Sequence, residues 1–341
     1  MRSAIIHGPN DIRIEDLPIP TIGPKEILVR MKACGVCGTD IQKMRGVFVK
    51  PPVLGHEVTG DVAKIGEAVK GFRLGDRVFV HHHVPCYVCH YCRHGDFTMC
   101  EMFGQTNLEP CGFSEYFRVP EPILEKKGVL QLPNELSYEE GTLIEPVACC
   151  IRGLAKCKIR KGDDVLVIGA GPSGLMHIQL LNIFGVGRVI VSEPIELRLE
   201  VAKKFGADIA INPQREDAVE AVKDATEGMG VDVVIVAVGN VKAIEQAIKA
   251  VRKGGVVNVF GLPPKGSVLS IDPSEILVRE ISLVPSYSTT EIETNVALKL
   301  MESRKVDFSR LITHRFKLES IMDAMVYAEK GKDALKILVV P

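Results

Sequence analysis

From Val165 to Gly187 the chain runs without a single Asp, Glu, Lys or Arg. The stretch is long enough to span a bilayer. Six residues break it, however: Gly169, Gly171, Pro172, Gly174, Gly185 and Gly187, with His177 and Gln179 also inside. A buried strand, a tight turn and a buried helix account for it better. The turn is Gly169-Ala170-Gly171-Pro172-Ser173-Gly174, a G-x-G-x-x-G that follows the apolar run Val165–Ile168 and opens a helix with proline in its first turn. In such a turn the first glycine makes the bend and the second admits a pyrophosphate to the backbone amides. The third lets the helix close on the sheet, while the helix N-terminus offers free amides and positive dipole to phosphate.

The pattern needs an acid at the end of the next strand. Glu193 follows Val189–Val191, 19 residues after Gly174. A carboxylate there accepts from the adenosine ribose hydroxyls and repels a 2′-phosphate, which favours NAD. Arg198 is the nearby group that could accommodate a 2′-phosphate instead. The coenzyme set is therefore Gly169, Gly171, Pro172, Ser173, Gly174, Glu193 and Arg198, and the competing account is a glycine-rich turn beside an ordinary surface glutamate.

The surrounding rhythm supports a parallel sheet. Short runs Val165–Ile168, Val189–Val191, Val231–Val238 and Val256–Phe260 alternate with helical stretches Pro172–Phe184, Ile195–Phe205 and Val241–Val251. Residues 1 to about 145 read differently, as short Val-, Ile-, Gly- and Pro-rich runs such as Ile27–Met31, Val58–Ile65 and Arg77–Val80. Past about 285 come the helical segments Glu291–Arg304 and Ile321–Lys330, then a last apolar strand, Lys336–Val340.

With 42 Lys+Arg against 43 Asp+Glu, the net charge of −1 gives no basic face for nucleic acid. The first residues lack the apolar core of a signal peptide, so the expected location is the cytoplasm, with no membrane partner. Ten cysteines in a reducing compartment bind metal or sit in the core more often than they form bridges.

Four of them lie within fifteen residues: Cys86, Cys89, Cys92 and Cys100. Four thiolates with no open position make a structural zinc site, although an iron–sulfur cluster or plain core cysteines fit the spacing too. His90 and His94 are read as solvated loop residues. So are His81, His82 and His83, although a transition metal could bind that run weakly. A looser set consists of Cys37, His56, Glu57 and Glu145. One thiolate, one imidazole and two carboxylates suit a catalytic zinc that keeps a position for substrate. Cys34-x2-Cys37 could equally be a redox dithiol, and Glu145 a helix cap.

The motifs Gly35-Val36-Cys37-Gly38-Thr39-Asp40, Gly55-His56-Glu57, Cys86–Cys100, Ile144-Glu145-Pro146-Val147 and Val167-Ile168-Gly169-Ala170-Gly171-Pro172 follow one another in an order that resembles the zinc-dependent medium-chain dehydrogenases. The sorbitol (polyol) dehydrogenase branch is the most similar, over essentially the whole chain. The resemblance implies an α/β fold: a Rossmann doubly wound parallel sheet (146–289) plus a GroES-like β-barrel catalytic domain (1–145 and 290–341). It implies two zinc ions per subunit and NAD, with Cys37, His56 and Glu57 as catalytic-zinc ligands. Glu145 becomes the acid that holds the metal's water or moves onto the metal, and Thr39 takes the substrate proton. Phe48, Phe103 and Tyr287 are placed in or near the pocket wall, with core packing an equal account of each.

The implied reaction is reversible oxidation of a secondary alcohol (a polyol, sugar alcohol or vicinal diol) to the ketone. A simple-alcohol or L-threonine dehydrogenase is the alternative. A homotetramer or homodimer joined at the sheet edge near Val278–Val284 is expected. One departure stands out: Gln42 replaces the histidine that ends the family's proton relay, and an amide does not titrate near neutrality.

Overall fold

The charge-free stretch folds as the strand Asp164–Ile168, the glycine turn and the helix Pro172–Phe184. Proline occupies the first turn of that helix, and Gly185, in the left-handed region at φ 79°, ends it. The computed structural model describes residues 1–47, 53–331 and 333–341. They form two units, Met1–Ala148 with Thr289–Pro341, and Cys149–Ser288.

The second unit is built on six parallel strands. In spatial order they are Ile209–Ile211, Arg188–Ser192, Asp164–Ile168, Val231–Val236, Val251–Val259 and Ser282–Pro285. Numbered along the chain this is 3-2-1-4-5-6, the doubly wound dinucleotide-binding order. Val165, Leu166, Val167, Val189, Ile190 and Val191 have no exposed surface. Strands covered on both faces read as unbroken apolar runs, which is why they were visible in the sequence.

One assignment is corrected at the sheet edge. The stretch Val278–Val284 is not one strand. Its first two residues close the helix Pro273–Arg279, and only Ser282–Pro285 pairs. The helix start was encoded: Asp272 caps it by accepting from the Ser274 amide at 2.8 Å, and Pro273 sets its first turn. The strand lies at the sheet edge and not at its centre.

The first unit carries a seven-stranded sheet. Its path runs Ile312–Lys317, Lys336–Val340, Ile27–Gly35, Glu57–Ile65, Arg77–Val80 and Val129–Gln131, with Tyr116–Val119 also paired to Ile27–Gly35. The strand from the C-terminal end is thus inserted beside a strand from the N-terminal end: Leu338 pairs with Gly35, which pairs on its other side with Glu57. This register decides what surrounds the candidate metal ligands.

Candidate active site and metal centres

Cys37 precedes the helix Gly38–Met44 and is tied to it by Asp40. The Cys37 amide donates to Asp40 Oδ2 at 3.1 Å, and the Gly55 amide donates to Asp40 Oδ1 at 3.0 Å. His56 Nδ1 lies 3.5 Å from the same Oδ1. Gly55 holds φ 70°, where an added Cβ would lie 2.8 Å from the Phe113 amide nitrogen, so glycine is required at this bend. The turn delivers His56 and Glu57, both buried, against Cys37. Donor atoms of Cys37, His56 and Glu57 all lie within 4.8 Å of one another.

Burial opposes charge on Asp40, but the neighbouring His56 and the Gly55 amide outweigh it and bring its carboxyl down to about 2. An ionised Asp40 facing Nδ1 fixes the imidazole and leaves the other ring nitrogen available to a metal, the usual carboxylate–histidine arrangement at metal sites. A thiolate, an imidazole and a carboxylate so placed fit zinc. Glu145 stands outside this cluster, buried in the first turn of the helix Ile144–Cys157. Thr39 is half-buried, two residues after Cys37.

Cys86, Cys89, Cys92 and Cys100 also bring their sulfurs within 4.8 Å of one another. Tyr87, at φ 64°, turns the chain so that the amides of Val88 and Cys89 donate to Cys86 Sγ at 3.5 and 3.3 Å. Those two donors lower the Cys86 thiol to about 6, which favours the thiolate a metal requires. Four sulfurs packed with Phe97, Met102 and Phe103 fit a closed site for a structural ion.

In the other unit the glycine turn has the geometry a phosphate needs. A Cβ on Gly174 would fall 1.9 Å from the Gly169 carbonyl oxygen, whereas one on Gly171 would meet only open space. Gly169 itself holds φ 96°. Pro172 and Ser173 open the helix that follows. Glu193 accepts from the Ala170 amide at 2.8 Å and the Ile195 amide at 2.9 Å, binding the end of its strand to the turn. A carboxylate has about four acceptor positions, so capacity remains for ribose hydroxyls. Arg198 is half-buried in the helix Glu196–Lys204.

Comparison with known proteins agrees with both units. Residues 23–131 match the alcohol dehydrogenase GroES-like domain family and residues 172–303 the zinc-binding dehydrogenase family. The sorbitol dehydrogenase of Bacillus subtilis is 35% identical across 100% of this chain and 97% of its own length. The L-threonine 3-dehydrogenase of Pyrococcus abyssi is 36% identical over 93% and 92%. A solved structure described as a zinc-binding dehydrogenase of Sinorhizobium meliloti 1021, bound to NADP, superposes with a TM-score of 0.91 at 30% identity, covering 100% of this chain and 99% of that one. The chain belongs to the zinc-dependent medium-chain dehydrogenases, in their sorbitol dehydrogenase-like branch. It is an oxidoreductase acting on alcohols, with zinc and a nicotinamide nucleotide as cofactors.

Two residues of the dehydrogenase that sequence reading left out complete the centre. Asp40 had a local signal, since it occupies the third helical position where a capping carboxylate reaches back to the Cys37 amide. Lys336 had none. It is buried at the start of the last strand and ion-paired with Glu57.

The histidine run requires a correction. His81 and His82 are not solvated but buried, the His82 ring centred 4.9 Å from that of His56 and 3.9 Å from that of His83. Burial holds His81 neutral down to about 3 and His83 to about 4. Among the described residues the run forms no metal-ligating group, whereas His90 and His94 are exposed as expected, although His90 opens the short helix His90–Arg93 and is not in a loop. Of the aromatic residues considered for the pocket wall, Phe103 is buried against the cysteine lobe and Tyr287 is exposed. Phe48 lies outside the described residues.

Proposed function

We propose that the dehydrogenase oxidises one secondary hydroxyl of a polyol or vicinal diol to the ketone and reduces NAD. The observation that carries this reading is the pair of buried acids: Glu57 within the Cys37–His56 cluster and Glu145 buried outside it. Zinc, held by Cys37, His56 and Glu57, would supply the Lewis acidity that makes a hydroxyl proton removable, and the nicotinamide the hydride acceptor. Thr39 relays the proton from that hydroxyl, accepting it while passing its own hydroxyl proton on to solvent. Glu145 is the second acid that would serve the metal side of the site, as an acceptor for solvent or as a further ligand. With a polyhydroxy substrate, a carboxylate in this position can accept from a neighbouring hydroxyl, which a simple alcohol lacks. Asp40 keeps the His56 ring in register throughout.

Cys86, Cys89, Cys92 and Cys100 hold the second, structural zinc. The Gly169–Gly174 turn with Pro172 and Ser173 receives the pyrophosphate, and Glu193 receives the ribose hydroxyls. Arg198 is the residue that would serve a 2′-phosphate, as in an NADP enzyme. The Glu193 carboxylate opposes that phosphate, and this supports NAD.

A homodimer or homotetramer assembles through the open edge strand Ser282–Pro285, flanked by Leu277 and Val278, each 77% exposed. Free cysteines throughout the described residues support a reducing, cytoplasmic setting, and no described helix is long and apolar enough to cross a membrane.

The test is Glu145→Ala. Turnover with sorbitol or 2,3-butanediol should fall at least about tenfold, a loss of about 1.4 kcal/mol of transition-state stabilisation, while NADH affinity, titrated by the fluorescence of the reduced coenzyme, stays unchanged. Unchanged turnover would remove Glu145 from the mechanism. The 36% identity to the threonine enzyme supports a second reading, threonine oxidation, which a comparison of turnover with L-threonine and sorbitol decides.

A further inference from the structure

Lys336 is 3% exposed, and its ammonium donates to the Val36 carbonyl at 3.0 Å while pairing with the fully buried Glu57 carboxylate. Three strands are arranged to permit that contact. Gly35 sits between Glu57 and Leu338 in the sheet, and a Cβ on it would lie 2.0 Å from Glu57 Oε2 and 2.9 Å from Lys336 Cε. Acid and ammonium meet over Gly35, which has no side chain to obstruct them.

Glu57 is therefore claimed twice, by the ammonium and, on the reading proposed above, by the metal. Asp40, an anion behind a ligand, strengthens binding. A cation behind a ligand does the opposite, because it repels the dication and draws electron density from the shared carboxylate. We infer that Lys336 is a positioning residue of the metal centre: it weakens Glu57 as a ligand, so that this corner of the shell stays exchangeable. The inference rests on Cys37, His56 and Glu57 being the metal ligands. It assigns the C-terminal strand a part in setting metal affinity that motif reading does not reveal.

The experiment uses the full-length protein loaded with cobalt(II) in place of zinc, with affinity read by chelator competition. A thiolate-to-cobalt absorption that disappears in Cys37→Ser reports the site itself. Its absence from the native protein overturns the ligand reading, independently of Lys336. With the band present, Lys336→Met should bind cobalt at least about tenfold more tightly, the lower end of the effect of outer-shell partners but with the sign reversed. Its visible spectrum should change as Glu57 engages fully, and Lys336→Arg should restore native affinity and spectrum. In a Glu57→Gln background the tightening from Lys336→Met should largely vanish. Unchanged or weaker binding in Lys336→Met overturns the inference and leaves the ligand set standing. Should that variant not fold without metal, the rate at which a chelator strips cobalt from the loaded protein reads the same quantity. Slower release than native supports the role, and equal or faster release overturns it.

Discussion

Asp40 shows how much of the centre depends on a residue outside the candidate ligand set. Its two oxygens serve the Cys37 amide, the Gly55 amide and the His56 ring together. Replacing it by Asn keeps the shape and removes the charge, and should lower zinc affinity by about 10–100-fold in chelator competition. Glu193→Ala should cut the preference for NAD over NADP at least about tenfold, because one charged hydrogen bond is worth about 1.5–3 kcal/mol. Steady-state kinetics with both coenzymes checks this, and faster native turnover with NADP would transfer the recognition role to Arg198.

His177 gives a pH signature in the coenzyme unit. It donates through Nδ1 to the Ser173 carbonyl at 2.8 Å and packs on Phe260, and burial lowers its pKa from 6.5 to about 4. Between those values the unfolded chain binds a proton that the folded one refuses. Stability is therefore present above the ordinary histidine pKa and lost as pH falls, by about 1.4 kcal/mol per pH unit for this group. Denaturant unfolding followed from pH 7 to 5 should show a shallower loss in His177→Gln than in the native protein.

At the scale of elements, legibility followed range. The glycine turn, the four cysteines and the Gly55-His56-Glu57 bend are complete within a few residues, so the sequence displays them. The strand after Val165 and the first turns of its helix were visible because deep burial writes itself as an apolar run. The histidine run misled for the opposite reason: three polar residues look like a loop. Yet the His81 amide still donates to the Gly128 carbonyl at 2.8 Å, carrying the strand Arg77–Val80 onward into the interior. Val278 looked like strand because it is apolar, although Asp272-Pro273 had already started a helix. Lys336 was invisible, since its partner is fixed by sheet register between opposite ends of the chain. Elements packed this tightly tolerate little: Gly174→Ala forces a methyl onto the Gly169 carbonyl and should cost about 1–3 kcal/mol. Thermal unfolding should register it, with weakened NAD binding. In the cysteine lobe, Cys89→Ser should lower thermal stability far more than it alters the turnover of folded enzyme. A stable, inactive Cys89→Ser would mean the two metal roles are reversed.

At the scale of the whole molecule, each unit has its own core: one beneath the seven-stranded sheet, the other among the parallel strands and their helices. Assembly through the edge strand predicts that sedimentation at micromolar concentration finds a dimer or tetramer. A single-chain species would contradict it. Zinc-dependent oxidation of polyhydroxy substrates by NAD is decided by a single substrate panel. Initial rates of NADH formation are recorded with sorbitol, 2,3-butanediol, L-threonine and ethanol, for native, chelator-stripped and zinc-restored protein. The highest kcat/KM is expected with the polyol or diol, with loss of activity on stripping and its return with zinc. Preference for threonine or ethanol would contradict the substrate class, and full activity in the metal-free protein would contradict the mechanism.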